Sequence, residues 1–206
     1  MSVFPRMAAI LPEGECGGAR IYHTTYDEEA GRTASYVGDR YVPTPAGTYA
    51  SLLVRTDSGH HECMMSDLAY ERATCLEVVR RAHGDVLIAG LGLGMILHPI
   101  LSQPDVRHVT VVEKYQDVVD LIAPTLPRTD ALALITADIF EWRPPLGSRY
   151  DVIWFDIWPD VAPTRLPEMA RLHRRFAPYL NRRNPRRWMA SWHREETRRI
   201  HRLARR

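Results

Sequence analysis

The chain has 206 residues, of which 45% are hydrophobic and 25% charged, and its formal net charge is +2. This composition is typical of a single globular domain, and it excludes a disordered, fibrous or membrane-embedded protein. The N-terminus lacks the charged start and longer apolar region of a signal peptide, so we expect a cytoplasmic protein with no membrane partner. The three cysteines have no CxxC spacing, which argues against a disulfide framework and a zinc site, and we expect no metal.

The small net charge hides a strong asymmetry along the chain. Residues 171–206 hold thirteen arginines and two acids and therefore carry +11, whereas the preceding 170 residues carry −9. Clustered arginines can bind phosphates or nucleic acid. A solvated arginine-rich helix needs no ligand, so nucleic acid is an open but not a favoured partner of this tail.

The first 65 residues predict an N-terminal arm and a small antiparallel β region. Residues 1–20 contain proline and glycine with little periodicity, which indicates a loose arm. From residue 19 to residue 65, alternating β-rich segments are separated by turn-forming residues. These turns are expected at Gly38-Asp39, at residues 43–47 and at residues 57–59.

Beyond residue 65 the pattern changes to alternating helices and strands. Ser66 or Asp67 can cap a helix that runs to His83, and Gly84 stands in the C-terminal stop position. Five apolar runs follow, separated by helix-length segments, which predicts parallel strands covered on both faces. We therefore expect a three-layer α/β/α sandwich over residues 66–193 and a basic helix over residues 194–206. The five runs are DVLIAGLG, RHVTVVE, ALALIT, YDVIWFD and RRWMASWH.

The first apolar run ends in a glycine-rich turn before a helix. Gly90, Gly92 and Gly94 permit a tight turn and the close approach of a ligand to the backbone, and a helix N-terminus offers unpaired N–H groups. Glu113 ends the second run, 23 residues after Gly90, where a carboxylate can accept hydrogen bonds from both hydroxyls of a ribose. Together these features predict a site for a ribose-containing ligand, with a glycine turn made only for packing as the alternative.

Neighbouring residues restrict which kind of nucleotide the predicted site could bind. A dinucleotide fingerprint needs glycine or alanine where this chain has Met95, and the only lysine, Lys114, leaves no Walker A loop. Asp138 follows the third run and can accept the exocyclic amine of an adenine that packs beside Ile139. Asp156 ends the fourth run, so the predicted ligand-binding edge carries several carboxylates.

Four of these segments, VLIAGLGLG, VTVVEK, ITADIFEW and YDVIWFDIWP, resemble the class I S-adenosylmethionine-dependent methyltransferases in order and spacing. The β-rich N-terminal part and the helix start at Asp67–Tyr70 also resemble spermidine-synthase-like proteins. The resemblance implies a Rossmann-like fold, S-adenosyl-L-methionine as cofactor and in-line displacement at a carbon on its sulfonium. It implies that Gly90, Gly92 and Gly94 lie under the methionine part, Glu113 at the ribose, and Asp138 with Ile139 at the adenine. Asp156 would face the sulfonium and the acceptor as the catalytic residue. The candidates for binding the substrate are Tyr70, Trp158 and Pro159; the Trp158 ring could stack on a planar acceptor or be part of the core.

Acids typical of aminopropyl-transferring members are absent or displaced. Leu93 stands where they carry an aspartate in the glycine turn, and Arg72 where they carry a glutamate. Their D-x-x-D-P sequence is shortened to Asp156–Pro159, which leaves Asp160 out of register. Methyl transfer to a small-molecule acceptor is therefore favoured. The alternatives are aminopropyl transfer from decarboxylated S-adenosylmethionine and a non-catalytic binding protein of the same fold.

The C-terminal strands of the predicted sheet are truncated relative to this family. Too few residues follow Trp192 for a sixth and a seventh strand. We expect the acceptor pocket to be completed by residues 1–65 or by another subunit. The resulting sheet edge is a place where a homodimer could form.

Overall fold

The structure, a computed structural model, describes residues 3–33, 36–37, 40–56 and 59–204. The predicted turns at Gly38-Asp39 and at residues 57–58 lie outside these ranges. The strands are β1 (Gly14–Cys16), β2 (Ala19–Tyr26), β3 (Tyr36–Val37), β4 (Arg40–Tyr41), β5 (Gly47–Arg55), β6 (His61–Ser66), β7 (Gly84–Ala89), β8 (Val106–Glu113), β9 (Leu132–Thr136), β10 (Val152–Phe155) and β11 (Trp188–Ser191). The α-helices are α1 (Glu28–Thr33), α2 (Ala69–Arg81), α3 (Leu97–Leu101), α4 (Gln116–Ile122), α5 (Leu166–Phe176) and α6 (Arg194–Leu203).

The chain forms two compact units. The first comprises Met1–Val79, Gly92–Ile100 and Tyr115–Pro127, and the second comprises Arg80–Leu91, Leu101–Lys114 and Arg128–Arg206. None of the helices within the described ranges combines the length and apolar character needed to cross a lipid bilayer.

The first unit contains the predicted antiparallel sheet, with strand order β1-β2-β5-β6. Strand β2 pairs with β5 along its whole length, from Ala19 opposite Val54 to Tyr26 opposite Gly47. Alternation along β2 places Ile21 in the core, opposite the buried Leu52 of β5, whereas the neighbours of Ile21 in the chain, Arg20 and Tyr22, are more exposed. The expectation of a small N-terminal β part is confirmed.

The N-terminal segment is not the loose arm that the sequence predicted. Phe4, Met7 and Leu11 are all buried, and a short 3₁₀ helix spans Met7–Ala9. The prediction was wrong because these three apolar side chains recur over a stretch too short to give a recognisable period. Burying them supplies the driving force that orders the segment.

Asp67 anchors this segment by hydrogen bonds that the sequence did not predict. Its fully buried carboxylate accepts the backbone N–H groups of Met7 and Ala50, both at 2.8 Å, and pairs with Arg72 at 2.7 Å. The carboxylate therefore joins the N-terminal segment to β5 and α2, in place of the predicted cap. Helix α2 begins at Ala69 and ends two residues before His83.

The second unit is built on a parallel sheet with the order β11-β10-β7-β8-β9. Counting only the five strands of this sheet along the chain, the order is 3-2-1-4-5, which is the order of a doubly wound, Rossmann-like sheet. The predicted fifth strand is confirmed as β11, which pairs in parallel with β10 from Val152 opposite Trp188 to Phe155 opposite Ser191. All five apolar runs therefore form strands of one sheet.

Both faces of this sheet are shielded from solvent, as three layers require. On one face, side chains of β7 and β10 form a buried cluster with α5: Leu87, Ala89, Ile153, Phe155, Met169, Leu172 and Phe176. On the other face, a second set of side chains is also buried: Val86, Ile88, Val109, Val111 and Val152. The continuous apolar runs of the sequence follow from this two-sided burial.

We predict that Asp67→Asn destabilises the protein by about 3 kcal/mol, because it removes the charge that pairs with the partly buried Arg72 guanidinium. Urea unfolding measures the change in the free energy of unfolding. The matched control is Asp120→Asn on α4, where the exposed carboxylate bonds only to Gln116 among the contacts described. Equal stability of the two variants would contradict an anchoring role for Asp67.

Candidate functional site

The candidate site lies at the carboxyl ends of β7 and β10, where the strand order of the sheet reverses. In open parallel sheets, ligands bind in the crevice that this reversal creates. Gly90 follows β7 and donates its N–H to Val112 O at 2.9 Å, while Asp156 follows β10 and donates its N–H to Ala89 O at 2.8 Å. The two strand ends are therefore tied to each other and to β8 by backbone hydrogen bonds.

Gly90 is required here for two reasons. Its φ of +97° lies in the region that L side chains rarely adopt. A Cβ atom at this position would also overlap the carbonyl oxygen of Asp156. The atom that requires glycine at this position belongs to the neighbouring strand end, and the approach of a ligand to this glycine stays a prediction.

Glu113 is the last residue of β8 and is brought against the glycine turn. The residue is only 7% exposed, and its Oε2 accepts the backbone N–H of Leu91 at 2.8 Å. A hydrogen bond from a backbone amide holds a carboxylate in a fixed orientation. The two residues on which the ribose prediction depends, Gly90 and Glu113, therefore belong to one hydrogen-bonded turn.

Asp138 and Ile139 lie in the turn that follows β9. The preceding residue, Ala137, donates its N–H to Glu113 O at 2.8 Å, so this turn is attached directly to the end of β8. The Asp138 carboxylate accepts the N–H of Phe140 at 2.8 Å, and Ile139 is buried in the core of the second unit. The predicted adenine partners thus stand next along the sheet edge from the predicted ribose partner.

Asp156 has the most strongly perturbed carboxyl group of this edge. Burial raises the pKa of Asp156 from 3.8 to about 7, and the hydrogen bond from Trp154 Nε1 at 3.3 Å opposes this rise only in part. A carboxyl group with a pKa near neutrality can both accept and release a proton under ordinary conditions. Such a group at a strand end is a candidate for proton transfer.

Trp154 is a residue of this site that the sequence signalled only weakly. Alternation along β10 places it on the same face of the strand as Asp156, two residues later. Its ring stacks on that of Trp188 in β11, with centroids 5.6 Å apart and planes 12° apart. The stack fixes the indole whose N–H reaches the Asp156 carboxyl group.

Trp158 and Asp160 have partners of their own. Trp158 is 4% exposed, belongs to the core cluster and donates its Nε1–H to Glu168 Oε2 at 2.8 Å. Asp160 is exposed and pairs with Arg165 at 3.0 Å. The substrate roles of Trp158 and the half-buried Pro159 stay predictions from the sequence.

The remaining predicted residues lie in the first unit. A Cβ at Gly92 would overlap the sulfur of Met65, which also accepts the N–H of Leu93 at 3.4 Å. A Cβ at Gly94 would lie 2.7 Å from Leu126 Cδ2. Tyr70 is buried in α2, and its predicted substrate role is not tested by this placement. Met65 is a contact of the glycine turn that no sequence pattern indicated.

Within the described ranges, no three His, Cys, Asp or Glu side chains come together in a group that could hold a metal ion. The three cysteines, which all lie in those ranges, are free thiols.

The chain has partial structural matches to known proteins. No protein-family model matches the chain, and no characterised protein matches its sequence. The N-methyltransferase NodS from Bradyrhizobium japonicum WM9 is 14% identical with a TM-score of 0.43, over 54% of this chain and 63% of that one. The plantazolicin methyltransferase BpumL, in complex with SAH, is 19% identical with a TM-score of 0.35, over 47% and 35%. DesVI from Streptomyces venezuelae is 19% identical with a TM-score of 0.39, over 53% and 46%.

The chain thus spans less than two thirds of the length of each of these three proteins. The assignment of the fold rests on the strand order and the parallel register of the sheet itself.

We predict that Gly90→Ala lowers the free energy of unfolding by about 3 kcal/mol or more, through backbone strain and overlap with a neighbouring carbonyl. Gly147→Ala is the matched control, because Gly147 has a similar φ of +88° but open space around its Cβ position. Its cost should be about 1 kcal/mol from backbone strain alone. Chemical denaturation of both variants measures the difference, and equal losses would disprove the close approach at Gly90.

We predict that Asp156 makes the protein less stable as pH rises from about 4 to about 7. The folded state binds this proton more tightly than the unfolded state, so stability falls until the folded group is ionised. The shift corresponds to about 4 kcal/mol at most. Urea unfolding at several pH values should show that Asp156→Asn lacks this decline, whereas Asp160→Asn retains it. Parallel profiles for the wild type and Asp156→Asn would refute the raised pKa.

Proposed function

We propose that the protein is an S-adenosylmethionine-dependent methyltransferase that acts on a small-molecule acceptor. The observation that carries the proposal is the buried Glu113 carboxylate, held by the Leu91 N–H at the point where the strand order reverses. A carboxylate so placed suits the two hydroxyl donors of a ribose.

The chemistry of the donor set fits this cofactor better than a phosphate-bearing nucleotide. The strand ends carry the carboxylates of Glu113, Asp138 and Asp156, and like charges would disfavour a diphosphate or triphosphate close to them. S-adenosylmethionine has hydroxyl and amine donors, a cationic sulfonium and no phosphate.

When bound, S-adenosylmethionine supplies an electrophilic methyl group on a sulfonium that leaves as a neutral thioether. In this proposal Glu113 orients the ribose, and Asp138 with Ile139 orients the adenine. Asp156 acts at its carboxylate, where it accepts the proton that an amine or hydroxyl acceptor gives up as the new bond to the methyl carbon forms. With its pKa near 7, the Asp156 carboxylate is available for this at neutral pH.

Methyl transfer is preferred to aminopropyl transfer because of two side chains. Leu93 is fully buried and Arg72 is committed to Asp67 and to Pro5 O, so neither position offers a carboxylate to a cationic amine. Aminopropyl transfer and a non-catalytic binding function are the competing outcomes of the test below. A cytoplasmic location and a homodimer are parts of the proposal that rest on the sequence alone.

We predict that S-adenosylmethionine and its demethylated product raise the unfolding temperature of the wild type. At about 100 times its dissociation constant, a ligand stabilises the fold by roughly 2.7 kcal/mol, which is several degrees in a protein of this size. The shift should disappear in Glu113→Ala and persist in Glu141→Ala, a matched change at an exposed glutamate in the same unit.

Three other results would change the conclusion. A larger shift with decarboxylated S-adenosylmethionine would replace methyl transfer by aminopropyl transfer. Equal shifts in both glutamate variants would remove Glu113 from the cofactor site. Binding of S-adenosylmethionine without methyl transfer to any amine, hydroxyl or thiol acceptor offered would favour the non-catalytic alternative.

A further inference from the structure

Exposed arginines accompany the amino end of every strand of the parallel sheet. Because all five strands run in the same direction, their amino ends share one edge of the sheet, opposite the edge that holds the candidate site. We call this the amino edge and define it by residues 80–85, 101–107, 128–131, 148–151 and 181–187. Its arginines are Arg80 and Arg81 before β7, Arg107 in β8, Arg128 before β9, Arg149 before β10, and Arg182, Arg183, Arg186 and Arg187 before β11.

The amino edge is strongly positive even after its acids are counted. It holds nine arginines and four aspartates, a formal excess of five positive charges. Arg107 pairs with both Asp85 and Asp151, at 2.7 and 3.1 Å, so one arginine serves two of the four acids. Arg186 lies 3.8 Å from Asp105 in a largely exposed pair. All nine arginines lie at exposed positions, so the amino edge as defined presents an excess of positive charge to solvent.

The arginine-rich loop at residues 181–187 is held in place by hydrogen bonds. Asn181 and Asn184 both donate to Asp151 Oδ1 at 2.7 Å, and Asn184 also bonds to His83 at 2.9 Å. Arg187 donates to carbonyl groups within the loop. The loop is therefore fixed against the starts of β7 and β10, and less conformational entropy is lost when it binds a partner.

Arginine is the residue best suited to phosphate, because its planar guanidinium group forms two parallel hydrogen bonds to phosphate oxygens. A regular line of phosphates would match arginines distributed along five adjacent strands. A membrane surface is a poorer partner. In the described part of the second unit, Leu146 is the only strongly exposed large apolar side chain outside α6, and one leucine gives no apolar face for insertion.

Two aromatic side chains bear on which form of nucleic acid this edge could bind: Tyr150 within the edge, which is buried, and Trp188, which directly follows residues 181–187. Proteins that bind single strands use exposed aromatic rings on which bases stack. Trp188 already stacks on Trp154, and the Arg81 guanidinium lies 5.9 Å from its ring centroid. We propose that the amino edge binds a nucleic-acid duplex through its phosphate backbone, without reading the base sequence.

The structure also separates the arginines of the basic tail that follow α5 into two groups. Residues 182–187 precede β11 and lie on the amino edge, whereas α6 follows the carboxyl end of the same strand. Arg198 in α6 pairs with Glu195 at 2.7 Å, and Arg199 lies 3.9 Å from Glu196. The loop and α6 therefore have different surroundings, and α6 provides a control in which the same number of arginines can be changed.

The test compares two triple variants with the wild type. Arg149, Arg182 and Arg183 are changed to glutamine on the amino edge, and Arg198, Arg199 and Arg202 are changed to glutamine in α6. All six side chains project from exposed or partly exposed positions. Fluorescence anisotropy follows binding to a 20-base-pair DNA duplex, an RNA duplex of the same length and the corresponding single strands, each between 50 and 300 mM salt. Binding to vesicles that contain phosphatidylserine is measured in a separate experiment.

The wild type should bind either duplex more tightly than the single strands, with log K falling linearly with log salt concentration. The amino-edge variant should lose at least about tenfold in affinity at 100 mM salt, with a slope shallower by about 2 to 3. The α6 variant should bind like the wild type. Lysine at the same three amino-edge positions should keep most of the slope, because the charge is kept.

Several results would overturn the proposal: no duplex binding at 50 mM salt, tighter binding of single strands, binding of vesicles in preference to duplexes, or equal losses in the two glutamine variants. The S-adenosylmethionine-induced thermal shift serves as an independent readout. It should be the same in the amino-edge variant and the wild type, so a failure of either proposal leaves the other one open to its own test.

Discussion

The close approach of Gly90 to the Asp156 carbonyl oxygen is the constraint on which the candidate site depends. A parallel sheet whose strand order reverses must bring the ends of β7 and β10 side by side. Only a residue without Cβ can stand at Gly90, and its N–H then completes the link to β8 through Val112. Glu113, one residue further along β8, therefore lies where its carboxylate accepts the N–H of Leu91. The position of the acidic side chains is a result of backbone packing.

The direction of the strands also explains how opposite charges are kept apart. All five strands of the second unit run in the same direction. The residues at their amino ends and the residues at their carboxyl ends therefore lie at opposite edges of the sheet. Glu113, Asp138 and Asp156 lie at the carboxyl ends of β8, β9 and β10, while arginines lie at the amino ends of all five strands, where they outnumber the aspartates. This separation keeps the guanidinium groups from lowering the pKa of Asp156, which burial raises to about 7. The same chain can therefore hold a carboxyl group with a raised pKa and, at the opposite edge of the sheet, the arginine-rich surface for which we propose phosphate binding.

The sequence predicted the second unit better than the first. Runs that are apolar on both faces have one straightforward explanation, and all five became strands of the sheet. The glycine turn and Glu113 were found because strand ends set their spacing. The buried Phe4, Met7 and Leu11 were missed because three residues define no period. Met65 and the division of the basic tail were missed because both depend on contacts between segments distant along the chain.

The division of the chain into two units has a consequence for how the protein could be shortened or recombined. The chain passes from one unit to the other five times, and one of these crossings falls between Leu91 and Gly92, inside the glycine turn. No single cut releases either unit with all its segments. Neither unit is thus a portable module that could be exchanged by a simple fusion of gene fragments. Any recombination or redesign of the protein therefore has to keep the segments of both units in one continuous chain.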